Sequence, residues 1–138
     1  MSYKETFYFI ARCLTISLEK NNKKLIEKTL QSKAIDWDTV VQVSTQQLVL
    51  PALYYALKRE GFLHYLPQEL VNYMELVTGL NNQRNQQIIS QVTALNTFLL
   101  DHGIAPIFLK GAANLIAGLY SDIAERMIGD IDFIFSKQ

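Results

Sequence analysis

Apolar residues recur at helical spacing through roughly the first hundred positions of this chain and then give way to short continuous runs, which predicts a helical region followed by strands. Ser2 with Glu5 three residues later predicts a capping box, and Phe7, Ile10, Ala11, Leu14 and Leu18 follow as the apolar stripe of a first helix. A second, short helix is expected over Lys23 to Gln31. Asp36 is placed to cap a third ahead of Trp37, Val40 and Val41. Pro51 fits the first turn of a fourth, which carries Leu53, Tyr54 and Leu57 and ends at Gly61. Pro67, with Glu69 close behind, opens the longest helix, where Ile88, Val92, Leu95 and Leu99 follow at spacings of four, three and four. His102 and Gly103 close it.

Part of that longest helix is rich in amides: Asn81, Asn82, Gln83, Asn85, Gln86, Gln87 and Gln91 surround a lone Arg84. The simpler reading is a solvated face, since a surface helix needs only polarity there. The sharper one is a surface that meets a missing part of the protein or a substrate.

After Pro106 the pattern changes. Ile107-Phe108-Leu109 has the continuous apolar character of a buried strand, Gly111 to Tyr120 reads as a helix, and Asp130 to Phe135 as a second strand. The expected fold class is α+β, with a helical N-terminal lobe over residues 1–102. A strand, helix, strand unit with one crossover, over 103–138, forms the start of a mixed sheet. No internal repeat is present.

Composition narrows the function. At 138 residues, 49% hydrophobic, the chain can bury a real core and is expected to be globular. Its 13 basic and 13 acidic residues cancel, with nine basic against six acidic up to Leu66 and four against seven from Pro67 onward. A mildly acidic second half gives no strong nucleic-acid signal, because duplex binding needs clustered lysine and arginine. Cys13 lies in an apolar helical pattern and is expected to be core. The longest uncharged apolar run, Leu48 to Leu57, is too short to span a bilayer, and the N-terminus lacks the order of a secretory signal, so a cytoplasmic protein without membrane contact is expected.

Candidate chemistry gathers near the end. Alternation along a strand puts Asp130 and Asp132 on one face and Ile131, Phe133 and Phe135 on the other. Paired carboxylates repel unless a cation lies between them, and magnesium takes one or two carboxylates together with substrate phosphates. Asp130 and Asp132 are therefore candidate metal ligands. Gly111, where a strand feeds a helix, leaves backbone N–H groups open to an anion, Lys110 can reach the same phosphates, and Arg126 can orient the carboxylates or contact phosphate. Singly, each residue has a plainer explanation: a tight connection for Gly111, a solvated charge for Lys110, an ion-pair partner of Asp130 or Asp122 for Arg126.

Leu109-Lys110-Gly111-Ala112-Ala113, Leu119-Tyr120, Arg126 and Gly129-Asp130-Ile131-Asp132 together resemble the signature of the poorly characterised bacterial nucleotidyltransferase family within the DNA-polymerase-beta-like superfamily. Asp36-Trp37, Leu50-Pro51-Ala52-Leu53-Tyr54 and the long helix with Asn82 and Arg84 are similar to that family's helical region, so the resemblance runs from about residue 35 onward. It implies metal-dependent transfer of a nucleoside monophosphate from a nucleoside triphosphate to an unknown acceptor, with release of pyrophosphate. On this resemblance Lys110, Gly111 and Ala112 hold the triphosphate with Arg126 nearby, and Asp130 and Asp132 are the catalytic carboxylates binding Mg2+ (or Mn2+).

The chain departs from the superfamily pattern at Ala112, where a serine or second glycine is usual. No acidic residue follows Asp132 either; Asp122 and Glu125 are the nearest other carboxylates. Phe133, Ile134 and Phe135 are expected at an open sheet edge, so the chain is expected to be a fragment of a longer enzyme or to pair that edge in a homodimer. Two other functions fit the residues: a noncatalytic helical interaction module, and a toxin-type nucleotidyltransferase acting on a macromolecular acceptor such as tRNA.

Overall fold

The computed structural model describes residues 1–136, which divide into two compact units, Met1–Thr78 and a second from Gly79 onward. In the first unit lie α1 (Tyr3–Leu14), α2 (Asn22–Gln31), α3 (Trp37–Gln46) and α4 (Leu50–Arg59). A 34-residue helix, α5 (Gln68–Asp101), begins in the first unit and continues in the second. There it is followed by β1 (Ile107–Leu109), α6 (Lys110–Ile116) and β2 (Asp132–Ile134). The α+β class is thus observed.

Local signals start the helices where the sequence places them. Ser2 and Glu5 form the full capping box at α1, satisfying N–H groups that no intrahelical carbonyl can reach. Asp36 caps α3, its carboxylate accepting from the Thr39 hydroxyl at 2.7 Å and the Thr39 amide at 3.2 Å. Pro51 occupies the first turn of α4.

The first core is made by Phe9, Ile10 and Cys13 of α1, Ile26 and Leu30 of α2, Val40 and Val43 of α3, Leu53, Tyr54 and Leu57 of α4, and Met74 of α5. Burial selects a stripe on α1 somewhat different from the expected one. Thr6, Phe9, Ile10 and Cys13 are enclosed, whereas Phe7 is exposed and Leu18 lies beyond the helix, also exposed. The Cys13 thiol is fully enclosed, and burial pushes its pKa up to about 12, so the thiolate needed for nucleophilic chemistry is not formed in the folded state.

In the second unit Ile88 and Val92 of α5 pack with Ala112, Leu115 and Ile128. The two strands pair antiparallel, Ile107 opposite Ile134, Phe108 opposite Phe133 and Leu109 opposite Asp132, where a crossover was expected. Three further expectations are corrected here. The strand β1 is not a buried one: alternation turns Phe108 toward the core while Ile107 is 60% exposed, because no layer of described residues covers the other face. Next, α6 ends at Ile116 and not at Tyr120. Gly118 adopts φ +69, and the Leu119 and Gly118 amides return to the carbonyls of Asn114 and Leu115, a Schellman stop. Finally, β2 begins at Asp132, leaving Asp130 outside the regular strand.

The amide-rich stretch of α5 is only partly solvated. Gln83, Arg84, Gln86, Gln87 and Gln91 are exposed, but Asn81 and Asn85 are buried. Among the described residues no helix is long and apolar enough to cross a membrane.

Two outcomes follow for the first unit. Leu48 sits just past the end of α3 at φ +57 with its side chain exposed, a conformation that favours glycine. Leu48→Gly is expected to raise the free energy of unfolding in urea by about 0.5–1 kcal/mol, the strain relieved less the entropy added to the unfolded chain. The hydrogen bonds from the Thr39 hydroxyl and amide hold the Asp36 carboxyl below the usual carboxylate range. A depressed folded-state pKa gives stability that is present above the unfolded pKa and lost as pH falls through the folded one. Thermal unfolding should therefore show the gap between wild type and Asp36→Ala at its full size near neutrality and shrinking below about pH 4.

Candidate nucleotide site

The joint between β1 and α6 is where the sequence motif meets the geometry. Lys110 opens α6 with φ +54, a left-handed conformation that costs a non-glycine residue about 1–2 kcal/mol. Its ammonium lies 3.2 Å from Asp132 Oδ2 on the neighbouring strand, the lysine side chain 72% exposed and the aspartate 31%. The register explains the meeting, since Leu109, the residue before Lys110, faces Asp132 across the ladder.

Gly111 has a packing role as well. A Cβ placed there would stand 3.2 Å from Cγ1 of Ile128, a buried residue of the second core, so a side chain at position 111 would press on the segment leading to β2 and Ile128 would have to give by a few tenths of an ångström. Ala112 is buried in the same core, which leaves its backbone N–H as its only group able to meet an anion. The structure therefore brings Lys110, Gly111, Ala112 and Asp132 together. Asp130 and Arg126 are exposed, Asp130 just ahead of β2 and Arg126 at the end of a short 3-10 turn, Ile123–Glu125.

Asp122 and Glu125 cap that turn. The Asp122 carboxylate accepts from the Ala124 amide at 2.8 Å, and the Glu125 carboxylate accepts from the Asp122 amide at 3.1 Å. Both carboxylates are thus engaged in shaping the loop, and among the described residues no group of three or more His, Cys, Asp or Glu side chains gathers to hold a metal.

Two residues here were hidden in the sequence. Asn81 Nδ2 donates to the carbonyls of Ala124 at 2.7 Å and Arg126 at 3.0 Å. Asn85 Nδ2 donates to the carbonyls of Ile123 and of Arg126, the latter at 2.7 Å. Their spacing carried a signal: Asn81 and Asn85 continue backward the stripe of Ile88, Val92 and Leu99, so they were due to face inward.

By contrast, a cavity of about 400 Å³ in the first unit, lined by Glu5, Tyr8, Arg12, Leu25 and Thr29 among others, contains none of the candidate residues. The candidate site is an open surface of the second unit.

The Gly111 contact can be tested by a double-mutant cycle. Alanine at position 111 adds helix propensity of about 0.5–1 kcal/mol, while overpacking against Ile128 costs about 1–3 kcal/mol. Gly111→Ala is expected to lower stability in the wild-type background and to raise it in an Ile128→Ala background, as read by denaturant unfolding of the four proteins.

The model of a family described as uncharacterised nucleotidyltransferases matches residues 33–138, about three quarters of the chain and all of the second unit. No curated protein and no solved structure matches. With its strand-to-helix Lys110-Gly111 and its Asp130-x-Asp132 inside the matched region, the chain belongs to the uncharacterised nucleotidyltransferase family.

Proposed function

We propose that this protein binds a nucleoside triphosphate at the joint of β1 and α6 and transfers its nucleoside monophosphate to an acceptor hydroxyl or similar group. The observation that carries the reading is Lys110, held in a left-handed conformation with its ammonium against Asp132. Backbone strain of this kind persists only where surrounding structure enforces it, and it tends to coincide with ligand sites.

In the proposed reaction an acceptor oxygen bonds to the α-phosphorus, the bond from that phosphorus to the bridging oxygen of the β-phosphate breaks, and pyrophosphate leaves. The hydroxyl proton passes to water or a carboxylate. Lys110 and Arg126 meet the charge of the phosphates, and the free N–H groups at the start of α6, those of Gly111 and Ala112, add neutral donors.

Asp130 and Asp132 supply hard oxygen ligands, the kind magnesium or manganese prefers. Two carboxylates without a third partner suit an ion that arrives with a triphosphate and keeps its phosphate and water ligands. Bound there, Mg2+ or Mn2+ would neutralise charge on the phosphates. Were Asp132 engaged by such an ion, Lys110, mostly exposed, would be free to turn from that carboxylate to the phosphates.

Calorimetric titration of nucleoside triphosphates with magnesium tests the proposal. Binding is expected for the wild type and lost in the Asp130→Asn, Asp132→Asn double variant. Lys110→Gly should weaken binding by at least tenfold with little change in thermal stability, because the strain relieved, about 1–2 kcal/mol, is offset by the entropy glycine adds to the unfolded chain, about 0.4–1 kcal/mol, and by loss of an exposed ion pair of about 0.2–1 kcal/mol. A folded wild type that binds no triphosphate in the presence of magnesium would sink the reading.

A further inference from the structure

We infer that Asn81 and Asn85 are positioning residues for a polyphosphate-binding surface, acting through Arg126. Each carboxamide nitrogen uses both of its hydrogens, so two side chains make four hydrogen bonds to three carbonyls, those of Ile123, Ala124 and Arg126. The Arg126 carbonyl receives two of the four, from Asn81 at 3.0 Å and from Asn85 at 2.7 Å. Its backbone carbonyl is held from the buried side by two side chains of the 34-residue helix α5, while its own side chain is exposed. That combination presents a guanidinium from a set position, which lowers the ordering cost of meeting an anion.

A second observation supports a role beyond stability. The Oδ1 atoms of Asn81 and Asn85 are buried with no hydrogen-bond partner among the described residues. Burying an unsatisfied acceptor is unfavourable, and apolar residues at these two positions would extend the stripe of Ile88 and Val92 without that loss. What apolar residues could not do is hold three loop carbonyls. Asn82 adds to the same loop, its Nδ2 lying 3.5 Å from the Asp122 carboxylate that caps the turn.

The inference deepens the proposed function and rests on it only in taking Arg126 as a phosphate contact; it needs no metal and no base. Inorganic tripolyphosphate, titrated without divalent ions, is therefore the probe. Four proteins are compared: wild type, Asn85→Ala, Arg126→Ala and the double variant. Arg126→Ala is expected to weaken binding about tenfold, a loss of about 1.4 kcal/mol. Asn85→Ala should weaken it about fivefold in the wild-type background and less than twofold where Arg126 is already gone.

Melting temperature provides the contrast, since a merely structural asparagine lowers it equally in both backgrounds without coupling in affinity. If Asn85→Ala does not fold, Asn81→Ala takes its place in the cycle; either variant leaves one donor on the Arg126 carbonyl, and Asn81→Ala, which removes the longer of the two bonds, 3.0 Å against 2.7 Å, should give a smaller coupled loss. Equal weakening in both backgrounds, no weakening by Asn85→Ala, or no tripolyphosphate binding by the wild type would each overturn the inference. Coupled tripolyphosphate binding without any magnesium-dependent nucleotide binding would instead defeat the nucleotidyltransferase reading and leave this inference standing. Nucleotide binding that needs Asp130 and Asp132 but shows no coupling would do the reverse.

Discussion

Four hydrogen bonds from two asparagines hold the part of the second unit that regular structure does not. Between α6 and β2 the chain forms only a three-residue 3-10 turn, and the sheet it leads to has two strands of three residues. A two-stranded ribbon is marginal by itself. Neutral hydrogen bonds contribute about 0.5–1.5 kcal/mol each, a gain that the two unpartnered Oδ1 atoms largely offset, so what the four bonds add is the position of the segment more than net stability. With the loop anchored at Ile123, Ala124 and Arg126, Ile128 reaches the bare face of Gly111 and joins Ile88, Val92, Ala112 and Leu115. Packing and polar anchoring therefore converge on the same few residues, and β2, with Asp132, follows directly from them.

Much of the first unit was legible because its signals are local. A capping box, an N-cap aspartate and a proline in the first turn act within four residues, and each marks the start of a helix in the structure. Cys13 was legible because its neighbours at helical spacing were apolar. The errors came where partners are distant in sequence. Ile107 looked like a buried strand residue because an apolar run reports the chemistry of the strand and not whether anything covers it. Asn81 and Asn85 looked like solvent-facing amides because composition was weighed ahead of periodicity. Their partners lie about forty residues away, in a loop whose own signals, such as Asp122 and Glu125, say nothing of what will pack against it.

The motif itself was readable as residue types in order, and the structure adds why two of them are needed for reasons of fit. Gly111 is favoured by the approach of Ile128, which would stand 3.2 Å from any Cβ there, whatever it does for an anion. Asp132 is opposite Leu109 in the ladder, so its meeting with Lys110 is fixed by strand register. Asp130 has no such constraint: it lies outside the strand and is exposed, so its candidate role rests on the sequence spacing and the family match.

Strain alone would not single out the site. Among the described residues three non-glycine ones have positive φ, namely Lys33, Leu48 and Lys110. Lys33 and Leu48 stand just past the last turns of α2 and α3, where their amides return to the carbonyls of Leu30 and Thr45. Helix ends commonly call for a left-handed residue there, and the conformation needs no further cause. Lys110 stands at the start of a helix, where termination geometry cannot account for it. The difference lies in what the conformation achieves, for at Lys110 alone it accompanies an ion pair to a neighbouring strand and the entry of a glycine beneath a core side chain. A local rule broken with a visible compensation elsewhere is the pattern expected where function and not folding chose the residue. By that criterion the strand-to-helix joint, and not the cavity of the first unit, is the place the proposed chemistry would occupy.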